Sequence, residues 1–444
     1  MATRLNPLQA PNAFVRWFRQ VAPYVHDFGG RTFVVAFGGE LVAERARFAS
    51  FIHDVNVLAS LEIRLVLVHG ARLQIEAELK RQGLRSKYAQ GLRITDEGAL
   101  TAVKHAAGVL RVEIEALLSQ GLPNSPMARA QIRVVSGNYI TARPLGVRKG
   151  VDFLFTGAVR KVDAAALSSH LDVADIVLVP PLGYSTTGEV FNLAWEDVAE
   201  NVAVALKADK LLMYTDRLPA DRKGNTISEL TADEAATISG RKTDLTPAAS
   251  GVLEHLARAV KSGVGRGHLL TRRTEGSLLQ ELFTHTGVGT MVTAATTEKL
   301  RPAKVEDVRG MLTLIEPLEA EGLLVKRSRE LIESEIGNFL VVEHDGVIVG
   351  CAALYPYPDD KSAEFACLAV ADGYRDAGYG ERLLLACQER AKGLKLRRVF
   401  ALTTHAAHWF IEQGFRSADV TALPSQRQAL YNWRRGSKVF LKRI

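Results

Sequence analysis

Apolar residues recur along the first two thirds of the chain in short runs that alternate with stretches of helical spacing. Residues 32–39, TFVVAFGG, and 63–70, IRLVLVHG, are typical of buried parallel strands, and each run ends in glycine. Between them, residues 48–58 place large apolar side chains on one face of a helix. The alternation continues through strands at 176–180 and 210–215 and a helix at 195–207. It predicts an α/β domain in which helices sandwich a mostly parallel sheet.

An amphipathic helix is predicted ahead of this domain, within residues 1–28. Its apolar stripe consists of Phe14, Trp17, Phe18, Val21 and Val25. These positions follow the spacing of one helix face, so the stripe packs either on its own domain or on a neighbouring subunit. We favour the subunit contact, which predicts a homo-oligomer.

The helix and strand pattern is interrupted at residues 295–300, a polar stretch that we interpret as a linker. It separates a domain at 29–294 from a second domain at 301–444. In the second domain, apolar runs at 339–343 and 347–354 flank Asp345-Gly346, a dipeptide that favours a tight hairpin turn. The hairpin leads into a strand at 364–370, and the alternation of strands and helices after it predicts a mixed α/β fold.

The best candidate for a ligand site is the strand, glycine turn and helix within residues 363–390. The turn reads Arg375-Asp376-Ala377-Gly378-Tyr379-Gly380, and helical spacing resumes at Glu381. The first N–H groups of a helix have no partners inside the helix, and its dipole adds partial positive charge there. Glycine at 378 and 380 would let a pyrophosphate approach these amides, and Arg375 would add a charge-assisted contact. The alternative is a surface turn that binds nothing.

Composition narrows the classes of partner. The formal net charge of +7 over 444 residues comes without a long polybasic tract, so acidic small molecules are favoured and nucleic acid is not expected. No run of 18 apolar residues exists, so no membrane span is expected. Cys351, Cys367 and Cys387 fit neither a zinc site nor a disulfide framework. We therefore expect free thiols, a cytoplasmic location and no metal.

The second domain resembles the GNAT-type acetyltransferases, whose signature R/Q-x-x-G-x-G/A corresponds here to Arg375-x-x-Gly378-x-Gly380. The resemblance implies acetyl-CoA as co-substrate and direct acetyl transfer. It assigns to the cofactor the residues of the strand and of the turn: Cys367, Leu368, Val370, Arg375, Gly378, Tyr379 and Gly380. A covalent acetyl-enzyme at Cys367 is the less favoured alternative, because a strand cysteine usually serves packing.

A carboxylate and a threonine hydroxyl of this domain are candidates for proton transfer. An amino group is largely protonated at neutral pH and must lose a proton before it can attack a thioester. Glu364, between apolar neighbours on the strand beside the expected thioester, can act as general base directly or through water. The alternative is an acid on the surface of an edge strand. Thr403, or equally Thr404, ends the next strand and can hydrogen-bond or protonate the leaving thiolate.

The first domain resembles the amino acid kinases, and the N-acetylglutamate kinases most of all. The matching segments include Gly38-Gly39, residues 68–70 and 91–96, Asn192 with Glu196, and the segment 210–212. In those kinases a lysine stands two residues before the glycine pair, and here that position is Ala36. Phosphoryl transfer depends on charge stabilisation, so the domain is expected to lack kinase activity although a second kinase lysine is retained as Lys210.

In arginine-sensitive relatives an N-terminal helix and the segment Glu-Leu-Phe-Thr-x-x-Gly-x-Gly-Thr form the inhibitor site and join the subunits. The chain contains this segment at 281–290. The resemblance implies an L-arginine site that includes Glu281, Gly287 and Gly289, with Tyr24 and His268 as weaker candidates. Glu281 would pair with the guanidinium through two N–H donors. The alternative for Glu281 is a solvated helix end.

The two domains together resemble the classical bacterial N-acetylglutamate synthases over nearly the whole chain. The basic segment 324–329 and a predicted closing hairpin at 431–438 resemble that family's own segments, in which Arg327, Arg435 and Ser437 would hold the two carboxylates of L-glutamate. The resemblance implies acetyl transfer to L-glutamate, the first step of arginine biosynthesis, feedback inhibition by L-arginine and a hexamer. A bifunctional synthase and kinase, a non-catalytic arginine-binding regulator and a protein or peptide acetyltransferase remain as alternatives.

Overall fold

The computed structural model describes residues 11–120, 127–128, 131–221, 223–240, 245–284, 287–295, 298–344, 346–375 and 378–444. The chain forms two compact units, Met1–Ala295 and Thr296–Ile444. Three-residue 3-10 turns aside, its elements are numbered separately for helices and strands, in chain order.

The helices of the first unit lie on both sides of a sheet. They are α1 (Pro11–Phe28), α2 (Gly39–Ala43), α3 (Arg45–Ser60), α4 (Arg72–Arg81), α5 (Glu97–Leu118), α6 (Ala164–Leu171), α7 (Trp195–Ala205), α8 (Ala232–Ser239), α9 (Pro247–Lys261) and α10 (Ser277–Phe283). Its strands are β1 (Thr32–Phe37), β2 (Arg64–His69), β3 (Lys87–Ala89), β4 (Leu92–Ile94), β5 (Val134–Val135), β6 (Ile140–Pro144), β7 (Val147–Arg148), β8 (Val151–Asp152), β9 (Gly157–Val162), β10 (Ile176–Val179), β11 (Leu182–Tyr184), β12 (Val190–Asn192), β13 (Lys210–Thr215), β14 (Glu229–Thr231), β15 (Arg266–Thr271) and β16 (Thr290–Thr293).

The main sheet of the first unit has the strand order β14-β16-β15-β13-β1-β2-β10-β5 in the described residues. Its strand pairs are parallel except β15 with β16. Alternate residues of the central strand β1 enter different cores: Phe33 and Phe37 pack with α3, α5 and α10, whereas Val34 and Ala36 pack with α7 and α9. A run buried on both faces is therefore apolar throughout, and the predicted sandwich with a mostly parallel sheet is confirmed.

The N-terminal helix α1 packs partly on its own unit. Val21 is buried in the core, and Tyr24, Val25 and Phe28 pack against the same cluster. Phe18 is 60% exposed. The side chains of Phe14 and Trp17 and all of residues 1–10 lie outside the described residues.

The second unit is built on an antiparallel meander. Its strands are β17 (Glu298–Pro302), β18 (Phe339–His344), β19 (Val347–Tyr357), β20 (Ser362–Val370), β21 (Arg398–Thr403), β22 (Arg416–Ala418) and β23 (Lys438–Arg443), and its helices are α11 (Val308–Ala320), α12 (Arg329–Ser334), α13 (Tyr379–Gly393), α14 (Ala407–Glu412) and α15 (Ser425–Ala429). The sheet order is β17-β18-β19-β20-β21-β23-β22 in the described residues, and β20 with β21 is its parallel pair.

Two boundaries in this unit differ from expectation. Residues 298–300 were assigned to a linker, but they belong to β17, which pairs with β18 over its whole length. The closing segment is not a hairpin: residues 433–436 form a turn that joins α15 to β23. In both places polar residues lie on an edge or a turn of the sheet, where apolar periodicity is weak.

Candidate functional site

Strands β20 and β21 separate at the centre of the second unit. They pair at three positions, from Ser362–Arg398 to Glu364–Phe400. Beyond Glu364, β20 continues to Val370 while pairing with β19. Within the described residues, the other edge of β20 therefore faces a gap between the two strands. An extended ligand can bind along such an edge by hydrogen-bonding to the backbone.

A β-bulge in β20 lies along this gap. Ala366 pairs with Ala353 and Ala369 with Cys351, so β20 contains one residue more than β19 between these pairs. Cys367 adopts a φ of 53°, a left-handed conformation that is unfavourable for a residue with a side chain. Its thiol is buried, and burial raises its pKa to about 12. A thiol with so high a pKa is a poor nucleophile, which favours a packing role over a covalent one.

The glycine turn begins α13 as the sequence predicts. Gly378 caps the helix with a φ of 78°, and the exposed Arg375 pairs with Asp372 at 2.7 Å. A Cβ at Gly380 would stand 3.4 Å from the Trp409 ring. The Tyr379 side chain is buried in the core, so this residue can reach a ligand only through its backbone. Residues 376–377 lie outside the described residues.

Glu364 lies at the point where the two strands separate, and it is 8% exposed. The surface-acid alternative is therefore wrong. Its neighbours on the strand are apolar, but its carboxylate also has a charged partner: the guanidinium of Arg427 on α15 donates from Nε to Oε2 at 2.6 Å and from Nη2 to Oε1 at 3.1 Å. Arg427 was not predicted, since no local pattern connects it with a residue 63 positions away.

Arg327, a predicted substrate residue, lies near Glu364, Cys367 and Tyr355, and it shares a hydrogen bond with Tyr355. Arg435 donates from Nη2 to the carbonyl oxygen of Leu323 at 2.7 Å. The buried Ser437 precedes Lys438, which pairs with Thr403. The structure therefore places Arg327 within electrostatic range of the predicted base and Ser437 at the end of β21.

Thr403 ends β21, on the side of the gap opposite β20. Its Oγ1 accepts the backbone N–H groups of His405 at 3.2 Å and Ala406 at 2.9 Å, which fixes the oxygen and leaves the hydroxyl proton to be donated. Thr404 Oγ1 lies 2.9 Å from His405 Nδ1. Both hydroxyls stay open as proton donors, and that of Thr403 is the better anchored.

The first unit contains a second polar site, at the end of α10. Glu281 is 9% exposed. Its Oε1 lies 2.7 Å from His268 Nδ1, and its Oε2 accepts the N–H groups of Val288 and Gly289, each at 2.8 Å. Burial favours a higher pKa for Glu281, but His268 and the two amides outweigh it and lower the pKa. The alternative of a solvated helix end is wrong.

Both predicted glycines of this site are required by its packing. Gly287 has a φ of 60°, and a Cβ there would stand 2.5 Å from Glu281 Oε2. A Cβ at Gly289 would stand 2.5 Å from the carbonyl oxygen of Leu269. Tyr24 reaches the same region through Phe28, whose ring lies 6.0 Å from that of Tyr24 and 5.6 Å from that of Phe283 on α10.

Lys210 belongs to this second site, and the expectation that it is a kinase lysine is wrong. It begins β13 opposite Phe33, whereas the glycine pair follows the far end of β1. Its Nζ lies 3.3 Å from His268 Nε2 and 5.1 Å from the centre of the Phe28 ring. Burial, and then the charge of Lys210, lower the pKa of His268 to about 4.

At the glycine pair itself, side chains of the same chain lie close to the glycine backbone. A Cβ at Gly38 would collide with the Glu40 carboxylate, and a Cβ at Gly70 would stand 2.7 Å from the Trp195 ring. Ala36 is fully buried in β1. A carboxylate at the cradle and alanine at the lysine position both disfavour a phosphate.

The fold and its two sites define a protein that joins an amino acid kinase unit to an acetyltransferase unit. Comparison with known families agrees: residues 31–271 match the amino acid kinase family and residues 308–415 match the acetyltransferase (GNAT) family.

Full-length relatives give the particular family. An amino-acid acetyltransferase of Ralstonia nicotianae is 48% identical over 442 residues, which cover 99% of this chain and 97% of the relative. The amino-acid acetyltransferase of Azotobacter vinelandii is also 48% identical, and the match covers 97% of this chain and 99% of the relative. The chain belongs to the bacterial N-acetylglutamate synthase family of amino-acid acetyltransferases. The expected fold, enzyme class and acetyl-CoA co-substrate are thereby confirmed.

Solved structures agree with this assignment. N-acetylglutamate synthase from Neisseria gonorrhoeae complexed with coenzyme A and L-arginine is 38% identical, covers 97% of this chain and 99% of its own, and superposes with a TM-score of 0.80. The same protein complexed with coenzyme A and N-acetyl-glutamate superposes with a TM-score of 0.61. In the described residues no helix is long and apolar enough to cross a membrane, and no group of three potential ligands is arranged to hold a metal.

Proposed function

We propose that this amino-acid acetyltransferase is an acetyl-CoA:L-glutamate N-acetyltransferase, that it performs the first step of arginine biosynthesis, and that L-arginine inhibits it. The observation that supports this most is the buried Glu364 at the separation of β20 and β21, with the guanidinium groups of Arg327 and Arg427 close to it. A free acidic amino acid requires a carboxylate that accepts the proton of its ammonium group, and it requires cations that pair with its own carboxylates.

The reaction proceeds by direct transfer. The pantetheine arm of acetyl-CoA lies along the free edge of β20, and its diphosphate contacts the amides at the start of α13. Glu364 takes a proton from the α-ammonium group of the acceptor, directly or through water. The neutral nitrogen attacks the thioester carbonyl, the carbon–sulfur bond breaks, and Thr403 donates a hydrogen bond or a proton to the leaving thiolate.

Selectivity for L-glutamate comes from cations that face a dicarboxylic acceptor. Arg327 beside the base and Arg435 with Ser437 at the closing turn pair with its carboxylates, because a planar guanidinium binds a carboxylate through two parallel hydrogen bonds. An acceptor with a neutral side chain would leave one of these half-buried cations without a carboxylate partner, which costs free energy.

Regulation is proposed to act through the site at Glu281. L-arginine carries a guanidinium that can approach this buried carboxylate and the rings of Tyr24 and Phe28. The Neisseria relative in complex with L-arginine and coenzyme A supports an arginine site in this family. The exposed Phe18 on α1 supports the further proposal that this helix contacts a second copy of the chain within a hexamer.

The test is release of the CoA thiol from acetyl-CoA in the presence of a panel of free amino acids. L-Glutamate should be the preferred acceptor, and Glu364→Gln should lower kcat by about 10²- to 10⁴-fold, the contribution of a positioned base, with KM for acetyl-CoA unchanged. Glu333→Gln, which removes a carboxylate from an exposed ion pair on α12, is the matched control. Equal rates with lysine peptides, or a Glu364→Gln variant as active as the wild type, would contradict the proposal.

The regulatory part has its own test. L-arginine should lower the rate of thiol release, and Glu281→Gln should raise the inhibitory concentration at least 10-fold, because a neutral amide forms a weaker bond with a guanidinium. Transfer of the ATP γ-phosphate to N-acetylglutamate should be absent. Measurable transfer would instead favour the bifunctional alternative.

A further inference from the structure

The resting site holds its proposed base in an ion pair. Arg427 donates to both carboxylate oxygens of Glu364, and the side chains are 19% and 10% exposed. A guanidinium paired in this way takes up one lone pair on each carboxylate oxygen and holds the carboxylate in place. While Arg427 stays there, Glu364 has fewer free positions for the proton of an ammonium group.

Glu364 also interacts electrostatically with Arg327, Tyr357 and the buried Cys367, none of which is an anion that could take its place beside the guanidinium. Arg427 has one further bond, from Nη1 to the carbonyl oxygen of Leu430 at 3.3 Å. Taking a half-buried cation away from its carboxylate without compensation is costly, so an anion is the group best suited to displace Glu364.

The amino acid substrate brings such an anion to this position. Its α-amino and α-carboxylate groups share one carbon atom, so the α-carboxylate arrives beside Glu364 whenever the amine does. If Arg427 turns to the α-carboxylate, the ammonium group replaces it as the counter-charge of Glu364. Each buried charge then keeps a partner throughout the exchange.

We propose that Arg427 exchanges partners during the reaction: it pairs with Glu364 in the empty site and with the substrate α-carboxylate in the occupied site, which frees Glu364 to accept the ammonium proton. The proposal rests on the proposed function, in which Glu364 is the base.

The helix that holds Arg427 permits this exchange. Gln428 anchors α15 by donating from Nε2 to the carbonyl oxygens of Thr421 at 3.2 Å and Leu423 at 2.7 Å. The two bonds between Arg427 and Glu364 are formed by the side chains alone. The guanidinium can therefore turn through side-chain rotation while the helix stays in place.

The experiment compares the rates at which the CoA thiol is released with different acceptor amino acids. The wild type should prefer L-glutamate over its α-amide, isoglutamine, and Arg427→Gln should lower that preference at least 10-fold. The preference for L-glutamate over its γ-amide, glutamine, should change less than 3-fold in the same variant. Arg427→Lys keeps the charge without the planar pair of donors and should give an intermediate loss.

Two controls separate this role from a structural one. Gln428→Ala loosens α15 without removing the guanidinium, and Arg390→Gln removes an exposed arginine of α13 that bonds to the carbonyl oxygen of Gly337. Both should keep the wild-type preference for L-glutamate over its α-amide. KM for acetyl-CoA within 2-fold of the wild type verifies that each Arg427 variant is folded.

The outcomes are distinguishable. A wild type that releases no thiol with L-glutamate would overturn the proposed function. A wild type that prefers L-glutamate, together with folded Arg427→Gln and Arg427→Lys variants that keep the preference for L-glutamate over its α-amide, would overturn the exchange and leave the proposed function standing. Loss of the α-amide preference in Gln428→Ala would also overturn it.

Discussion

At the scale of single residues, buried carboxylates distinguish the functional parts of this molecule. Glu364 and Glu281 have guanidinium, imidazole or amide donors. Asp54 on α3 is different: it is 9% exposed, and burial, with Glu275 nearby, raises its pKa to about 6. A raised pKa means that the native state binds the proton more tightly than the unfolded chain does.

Asp54→Asn should therefore stabilise the first unit near neutral pH. In the wild type, the carboxyl of Asp54 lowers the free energy of unfolding as the pH rises from about 4 to about 6, because the native state holds the proton that the unfolded chain gives up. The amide has no such effect. We therefore expect the free energy of unfolding of the variant to exceed that of the wild type by about 1 to 3 kcal/mol near pH 8, and the difference should vanish near pH 4. Urea unfolding at the two pH values measures it. Asp233→Asn, at an exposed position of α8, should change little, and a pH-independent effect of Asp54→Asn would be contrary to this account.

At the scale of elements, the site depends on one irregular strand and one helix terminus. The bulge at Cys367 and the early end of pairing at Glu364 make β20 bind β19 on one side and leave its other edge open. Gly378 begins α13 in a left-handed conformation, with open space around the position of a Cβ. A side chain there strains the backbone without a steric clash.

Gly378→Ala should consequently weaken cofactor binding through the turn. The left-handed conformation costs a residue with a Cβ about 1 to 2 kcal/mol, so the turn should relax and KM for acetyl-CoA should rise about 5- to 30-fold. Gly393→Ala ends the same helix without a positive φ or a close neighbour and serves as the control. Steady-state thiol release at varied acetyl-CoA measures both, and equal KM values in the two variants would contradict the role of the turn.

At the scale of the whole molecule, the kinase fold keeps its architecture while its polar groups serve another purpose. Trp195 and Glu40 lie against Gly70 and Gly38, and Lys210 lies beside His268 at the opposite end of the sheet. The unit also buries two histidines, His69 and His268, and burial lowers the pKa of each to about 4. Both should be neutral in the native state.

These histidines should make the first unit sensitive to acid. Because the native pKa is lowered, the unfolded chain binds protons below pH 6.5 that the native state refuses until about pH 4, so stability falls as the pH drops through this window. For His69 the loss between pH 7 and pH 5 is about 2 kcal/mol. In urea unfolding, the free energy of unfolding of His69→Asn should fall less with decreasing pH than that of the wild type. A variant of the exposed His105 should show the same fall as the wild type. Equal pH dependence in all three proteins would refute it.

Features that depend on neighbouring residues could be predicted from the sequence, whereas features that depend on contacts between distant residues could not. The two-domain order, the parallel sheet, the pairing of β18 with β19 and the glycine turn at 378–380 rest on neighbouring residues, and the sequence predicts them. The sequence also indicates that Glu281, Gly287 and Gly289 belong to one site, and the structure brings them together, while their role in binding L-arginine stays a prediction. The partner of Glu364 was missed because Arg427 reaches it from a short helix without apolar periodicity, and the role of Lys210 was misjudged because a sequence match does not tell which end of a sheet a residue occupies.

The sequence by itself determined the elements, their order and the residue types available for chemistry, because periodicity, glycine turns and charge are local properties. Only the tertiary structure decided which of these residues meet. It paired Glu364 with Arg427, separated β20 from β21 and turned Lys210 toward Glu281 and His268, because strand register and helix packing bring together groups that are far apart in the chain.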